Sequence, residues 1–236
     1  MTTSGTYVYN PSAAHIVTSA FGMIQIRRPE LGTAHLLDAA TALNMLMVDF
    51  SNRNPHRWAM ETQSQILTVG TSLYTLTGRT LAVALATITQ NNLDRVIGPM
   101  SATDYAALPN KAQAGPPTSF FFNLQIVPTL TIWPVPDSTY LATTATLNLT
   151  TFRQMQDVDL SGGQTVDSPY RFLDAITTGL AFRLGHIYPD ALIKAKGPSA
   201  LADLEQLYEK RMLIACSRDR QRTPLFLTPG LSGYYR

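Results

Sequence analysis

Asp104-Tyr-Ala-Ala-Leu-Pro-Asn-Lys-Ala-Gln-Ala-Gly-Pro-Pro-Thr-Ser-Phe-Phe-Phe122 and, just downstream, Leu130-Thr-Ile-Trp-Pro-Val-Pro-Asp137 decide how this chain is read. Ser101 caps a short helix that runs to Leu108, and a Gly/Pro turn follows it. An aromatic strand and a second strand come next, and two prolines close the second strand's end. Nothing in the stretch supplies a nucleophile, a metal ligand or a phosphate cradle. It makes shape.

Working outward, the spacing on both sides of this stretch has a period of two. Residues 62–69, 72–76, 81–88, 95–98, 119–125, 129–133 and 140–152 are rich in β-branched and aromatic side chains and read as strands. Gly70, Gly78, Asn91-Asn92 and Pro136-Asp137 punctuate them. In the last strand Leu141, Ala145, Leu147 and Leu149 face one way and Thr144, Thr146, Asn148 and Thr150 the other, as in a half-buried antiparallel strand.

Beyond the strands the period is helical. Asn10-Pro11 opens a helix with Ala13, Ile16, Val17, Ala20, Phe21 and Ile24 on one stripe, and Arg28-Pro29 ends it. Thr33 caps a second helix, with Leu36, Ala40, Leu43, Met47 and Phe50 in register. Ser168-Pro169 opens a third that ends at Tyr188-Pro189, and Ser199 opens a last one that fades near Ser217. Each pair of helices alone leaves an apolar face wet. The expectation is an α+β protein: a four-helix bundle with a strand-rich antiparallel β insert between helices 2 and 3, and an extended C-terminal arm. The corresponding segments are 1–56, 57–160, 161–217 and 218–236.

The arm contains Arg218, Arg220, Arg222 and Arg236 against Asp219, with Leu225, Phe226, Leu227, Leu231, Tyr234 and Tyr235 as apolar groups. Pro224, Pro229, Gly230 and Gly233 rule out a long helix. Extended, it reaches roughly 60 Å. Ordering costs ~1–2 kcal/mol per residue, and each large apolar group buried returns ~1.5–3 kcal/mol. Backbone pairing with a partner edge has to contribute before such an arm orders on another subunit. Folding back on its own domain is the other reading.

Of the 236 residues 45% are hydrophobic and only 14% charged, and the net charge is +2. A core of this size needs no disulfide staples, and Cys216 is the only cysteine. A surface short of charge suits burial against neighbours, and the small net charge gives no electrostatic case for nucleic-acid binding. No basic stretch leads into an apolar run at the N-terminus, and no window is long enough to span a membrane. The expectation is a soluble protein made in a cytoplasm.

Chemistry-bearing residues are scattered. His15, His35, His56 and His186 never fall at the spacing of a helical zinc site. Cys216 lies at a helix end beside basic residues but has no histidine close in sequence. Glu30, Glu61, Asp104 and Asp157 are carboxylates that a glycosidase would need in pairs. Gly162-Gly163 reads as a turn, and Arg27-Arg28 and Lys194-Ala-Lys196 as short solvated basic spots. No catalytic, metal or cofactor residue is assigned.

Ala20-Phe-Gly-Met-Ile, Pro29-Glu-Leu and Ala42-Leu-Asn-Met-Leu with Phe50 and Trp58 resemble the opening of the podovirus head-to-tail adaptor family. That family is also called tail accessory factor, packaged-DNA stabilisation protein or tail tubular protein A. The resemblance continues through Gly70, Tyr74, the stretch from Tyr105 to Pro117, Leu130 to Asp137, Ser168-Pro169 and Gly179-Leu-Ala, about residues 13 to 190. One departure is Pro116, where relatives often have Arg. The resemblance implies a structural connector ring, commonly of twelve copies, between a portal protein and a tail nozzle protein in the virion. Such a ring retains packaged double-stranded DNA and forms part of the ejection channel without sequence-specific binding, cofactor or catalysis. The expected portal-binding arm is Arg222, Leu225, Phe226, Leu227, Leu231, Tyr234 and Tyr235. Asn110, Lys111, Gly115 and Trp133 are the expected tail or inter-subunit contacts. The rival expectations are a virion-associated cell-wall hydrolase and a DNA-binding module.

Overall fold

Ser12 accepts a hydrogen bond on its side chain from the His15 backbone N–H at 3.3 Å and so caps the first helix, α1 (Ala13–Met23). The computed structural model describes residues 9–53 and 57–219. The helices after α1 are α2 (Thr33–Arg53), α3 (Ala102–Ala107), α4 (Leu173–Ile187), α5 (Pro189–Lys196) and α6 (Ala200–Asp219). The strands are β1 (Met60–Ile66), β2 (Leu73–Thr75), β3 (Thr80–Gln90), β4 (Leu93–Pro99), β5 (Ser119–Asn123), β6 (Thr129–Trp133) and β7 (Ala145–Arg153).

These elements fall into two compact units. Among the described residues, one comprises 9–53, 57–58 and 155–219; the other holds Ala59–Gln154. Phe21, Phe50 and Phe172 lie fully buried in the first, together with Ile16, Ile24, Leu43 and Leu46. Burial of each such side chain is worth ~1.5–3 kcal/mol. The segment after β7 belongs to this unit because α2 holds it. Asn44 donates to the carbonyl of Val158 at 3.1 Å and accepts from its N–H at 2.9 Å, while the Ser51 hydroxyl accepts from the Met155 N–H at 3.0 Å.

The second unit is one seven-stranded sheet in the order β1-β7-β3-β4-β5-β6-β2. Alternation delivers Ala145, Leu147 and Leu149 of β7, with Ile88, Ile97, Phe120, Leu130 and Ile132, to its inner face. Register shifts in the β3–β7 pair, between Thr80 and Ala82 and between Val83 and Leu85, help the sheet curl. The two edge strands are tied by side chains. Gln65 Nε2 donates to the Thr75 carbonyl at 2.9 Å. Gln63 Nε2 lies within 3.1 Å of Glu61, Thr77, Thr80 and Thr151 oxygens and shares its two hydrogens among them. Glu61 in turn pairs with Arg79 at 2.8 Å. This polar cluster seals edges that would otherwise template foreign strands.

The expected four-helix bundle carrying an antiparallel insert is not the fold. The sheet is mixed, because β4 and β5 run parallel through Gly98–Ser119 and Pro99–Phe120 pairing. Parallel neighbours need a long crossover, and residues 100–118 with α3 supply it. The described residues form six α-helices, and α5 was not foreseen. Pro189 ends α4 as expected, yet its ring fits the first position of a new helix, so the chain restarts at once. The seven strands also enclose a core of their own, more than an insert on helices needs. Two smaller differences follow from capping. Ser12, not Asn10, caps α1, and α1 stops at Met23, where Gln25 takes a positive φ of 68° before a separate turn at Arg28–Glu30.

Candidate functional site

Pro109 blocks continuation of α3, and from there the chain folds along the end of β6. Asn110 Oδ1 accepts from the Ala112 N–H at 3.1 Å, which closes a local turn. The indole N–H of Trp133 donates to the Asn110 carbonyl at 3.1 Å. Gly115 N donates to the Val135 carbonyl at 2.9 Å, and Val135 N donates to the Gln113 carbonyl at 2.8 Å. Gly115 has a φ of 149°, and a Cβ there would sit 3.8 Å from Pro134. The Trp133–Pro134 peptide is cis.

Lys111 projects from this turn over the Tyr105 ring, 5.3 Å from its centroid, and Tyr105 stacks on Phe121 at 5.1 Å. The four expected contact residues Asn110, Lys111, Gly115 and Trp133 are therefore brought together. Three of them hold the turn, Gly115 and Trp133 by donating N–H groups and Asn110 by accepting on its side chain and its carbonyl, while Lys111 lines a groove. That groove has a volume of about 620 Å³ and lies between Tyr105, Lys111 and Ala114 on one side and Val69, Gly70 and Pro136 on the other. Gly70 N donates to the Pro136 carbonyl at 2.9 Å, which fixes the second wall.

A feature that periodicity missed lies at the other end of β6. Residues 124–128 join β5 to β6 and hold large apolar side chains in water: Ile126 is 96% exposed, Leu124 60% and Val127 52%. Strand spacing had assigned Leu124 to β5. The available signal was an apolar run ending at Pro128, where the chain must turn.

The scattered chemistry is tied to local structure. His35 Nδ1 accepts from the Gly32 N–H at 3.1 Å and its ring packs on Phe21 and Tyr188. His186 meets the Phe182 ring edge at 4.7 Å, and His15 is exposed. His56 lies outside the described residues, as do Arg222, Leu225, Phe226, Leu227, Leu231, Tyr234 and Tyr235 of the arm. The Glu30 carboxylate accepts from the Arg27 N–H, Glu61 pairs with Arg79, Asp104 closes a capping box with Ser101, and Asp157 is exposed. Cys216 packs against the helical core. Gly162 and Gly163 both take positive φ in a turn, beside which Ser161 donates to Asp159 and holds its carboxyl below the usual range. Among the described residues no group of three His, Cys, Asp or Glu can hold a metal ion.

A second concavity, of about 410 Å³, lies in the helical unit between α1 and α4, with Tyr9 and Tyr170 among its lining residues. Arg211 of α6 reaches it, paired with Asp174 at 2.8 Å and bonded to the Thr178 hydroxyl. No protein-family model matches the chain, and no curated protein does so. Neither concavity presents a nucleophile held by a base, and both present apolar walls with a few polar groups.

Proposed function

We propose that this chain is a head-to-tail adaptor of a tailed phage, a structural ring subunit that docks the portal to the tail nozzle. In this reading it retains packaged DNA, lines part of the ejection channel, resides at the head–tail junction of the virion and catalyses no reaction. The carrying observation is large apolar side chains left in water on both compact units. Leu37 and Met45 of α2 are 65% and 60% exposed, and the 124–128 tip does the same on the sheet. Surfaces of this kind are normally covered by protein partners. The ordered resemblance motifs and the low charge point the same way. A head-to-tail ring needs two different complementary faces per subunit.

The test is to mix the chain with its portal and image the product. A ring of adaptor density, twelve copies by the resemblance, beneath the portal is expected. Removal of the residues after Ser217 should abolish portal binding, because the aromatic arm is the proposed anchor. Retained binding by the truncated chain refutes the arm assignment. No ring on the portal refutes the adaptor itself.

A further inference from the structure

We infer that the 124–128 tip of one copy seats in the 620 Å³ groove of the next copy, so that the sheet unit carries both halves of a head-to-tail contact. The inference rests on the adaptor reading for its biological setting but on separate geometry for its substance. The tip directly precedes Thr129, the first residue of β6, and the groove is built on Val135 and Pro136 just past its last residue, Trp133. Knob and hollow therefore lie at opposite ends of one strand. The neighbouring strand β2 shows the same polarity: Ser72 before it lines the groove, while Leu76 after it donates its N–H to Pro128 at the tip, at 2.9 Å. A knob and a hollow at opposite ends cannot satisfy each other within one chain. They can join copy to copy, in a heterologous contact that closes into a ring or runs on as a filament.

Charge fits the same occupant. No charged residue stands between Lys111 and Asp137, so the whole tip is neutral. Lys111 and Asp137 themselves both line the groove and oppose one another in sign. The two opposite charges of the hollow cancel, so it neither attracts nor repels a charged guest at a distance, and Val69, Ala114, Val135 and Pro136 offer apolar contact to a neutral tip. A membrane is a poorer occupant, since a lipid-seeking tip gains from basic residues and this one has none.

The test uses the full chain in a Cys216→Ser background. Ile126→Cys chains are mixed with Val69→Cys chains under mild oxidation, both concentrated alone and assembled on the portal. A disulfide between unlike chains is expected, with a ladder of multimers when both cysteines share one chain. Ile126→Asp, at a position fully in solvent, should leave folding intact and weaken self-association at least about tenfold. Absence of the mixed disulfide in both samples, or an unchanged association by Ile126→Asp, overturns the inference. Rings on the portal without the disulfide defeat this contact and leave the adaptor reading standing. The disulfide without portal binding does the reverse.

Discussion

At Gly179 in α4 an added methyl would lie 2.7 Å from Cε2 of Tyr208 and 3.1 Å from Cδ1 of Leu46. Alanine favours a helix by ~1 kcal/mol over glycine, whereas overfilling a packed core costs ~1–3 kcal/mol. Tyr208 is buried and contacts the Phe50 and Phe182 rings, so it has little room to yield. Gly179→Ala should lower unfolding stability by about 1 kcal/mol net, read from the denaturant midpoint. An unchanged or raised midpoint contradicts the close approach. Tyr188 offers a second residue-scale test. Its hydroxyl donates to the Asp38 carboxylate, and that bond, with burial and the carboxylate charge behind it, pushes the phenol from 10.0 up to about 12. The folded value exceeds the unfolded one, so the contribution is complete below pH 10 and disappears as pH rises through about 12. Stability near neutrality should not depend on it. Asp38→Asn should bring the phenol back toward 10.0, measured as a phenolate absorbance difference against matching Tyr188→Phe chains.

Among elements, α2 does two jobs at once. One face supplies Leu43, Leu46, Met47 and Phe50 to the core, and Asn44 beside them grips both polar groups of Val158. The Ala42-Leu-Asn-Met-Leu motif thus has a physical basis, since the asparagine side chain imitates a strand neighbour for a segment without one. Asn44→Ala should cost ~1–3 kcal/mol by stranding those groups. The fastest-rising amide exchange should be at Val158. The turn 109–117 depends on Trp133 in a similar manner. Trp133→Phe keeps the ring's bulk but removes the bond to the Asn110 carbonyl, with an expected loss of ~0.5–1.5 kcal/mol and faster exchange at Gly115 and Val135. Exchange unchanged at those two amides would falsify that account.

For the molecule as a whole, each unit encloses its own core. Asn44→Ala should therefore raise exchange throughout the helical unit and leave the most protected amides of β3 and β7 where they were. Uniform loss of protection would mean one cooperative block. All seven strands and five of the six described α-helices were legible in the sequence, the long elements because burial on one face imposes a period along the chain. Ser101 and the Leu108-Pro109 break were legible too, since caps and proline act within a few residues. The parallel β4–β5 pair was not, because periodicity reports which face is buried and not which way a neighbour runs. The restart at Pro189 was ambiguous, because proline both ends and begins helices. The turn residues of 109–117 and the proline-closed strand end at Trp133 singled out Asn110, Lys111, Gly115 and Trp133, and the fold joins the two stretches through the Trp133 bond to the Asn110 carbonyl. Only the fold places their groove and the Ile126 tip at opposite ends of β6, because solvent exposure and through-space shape depend on residues far apart in the chain.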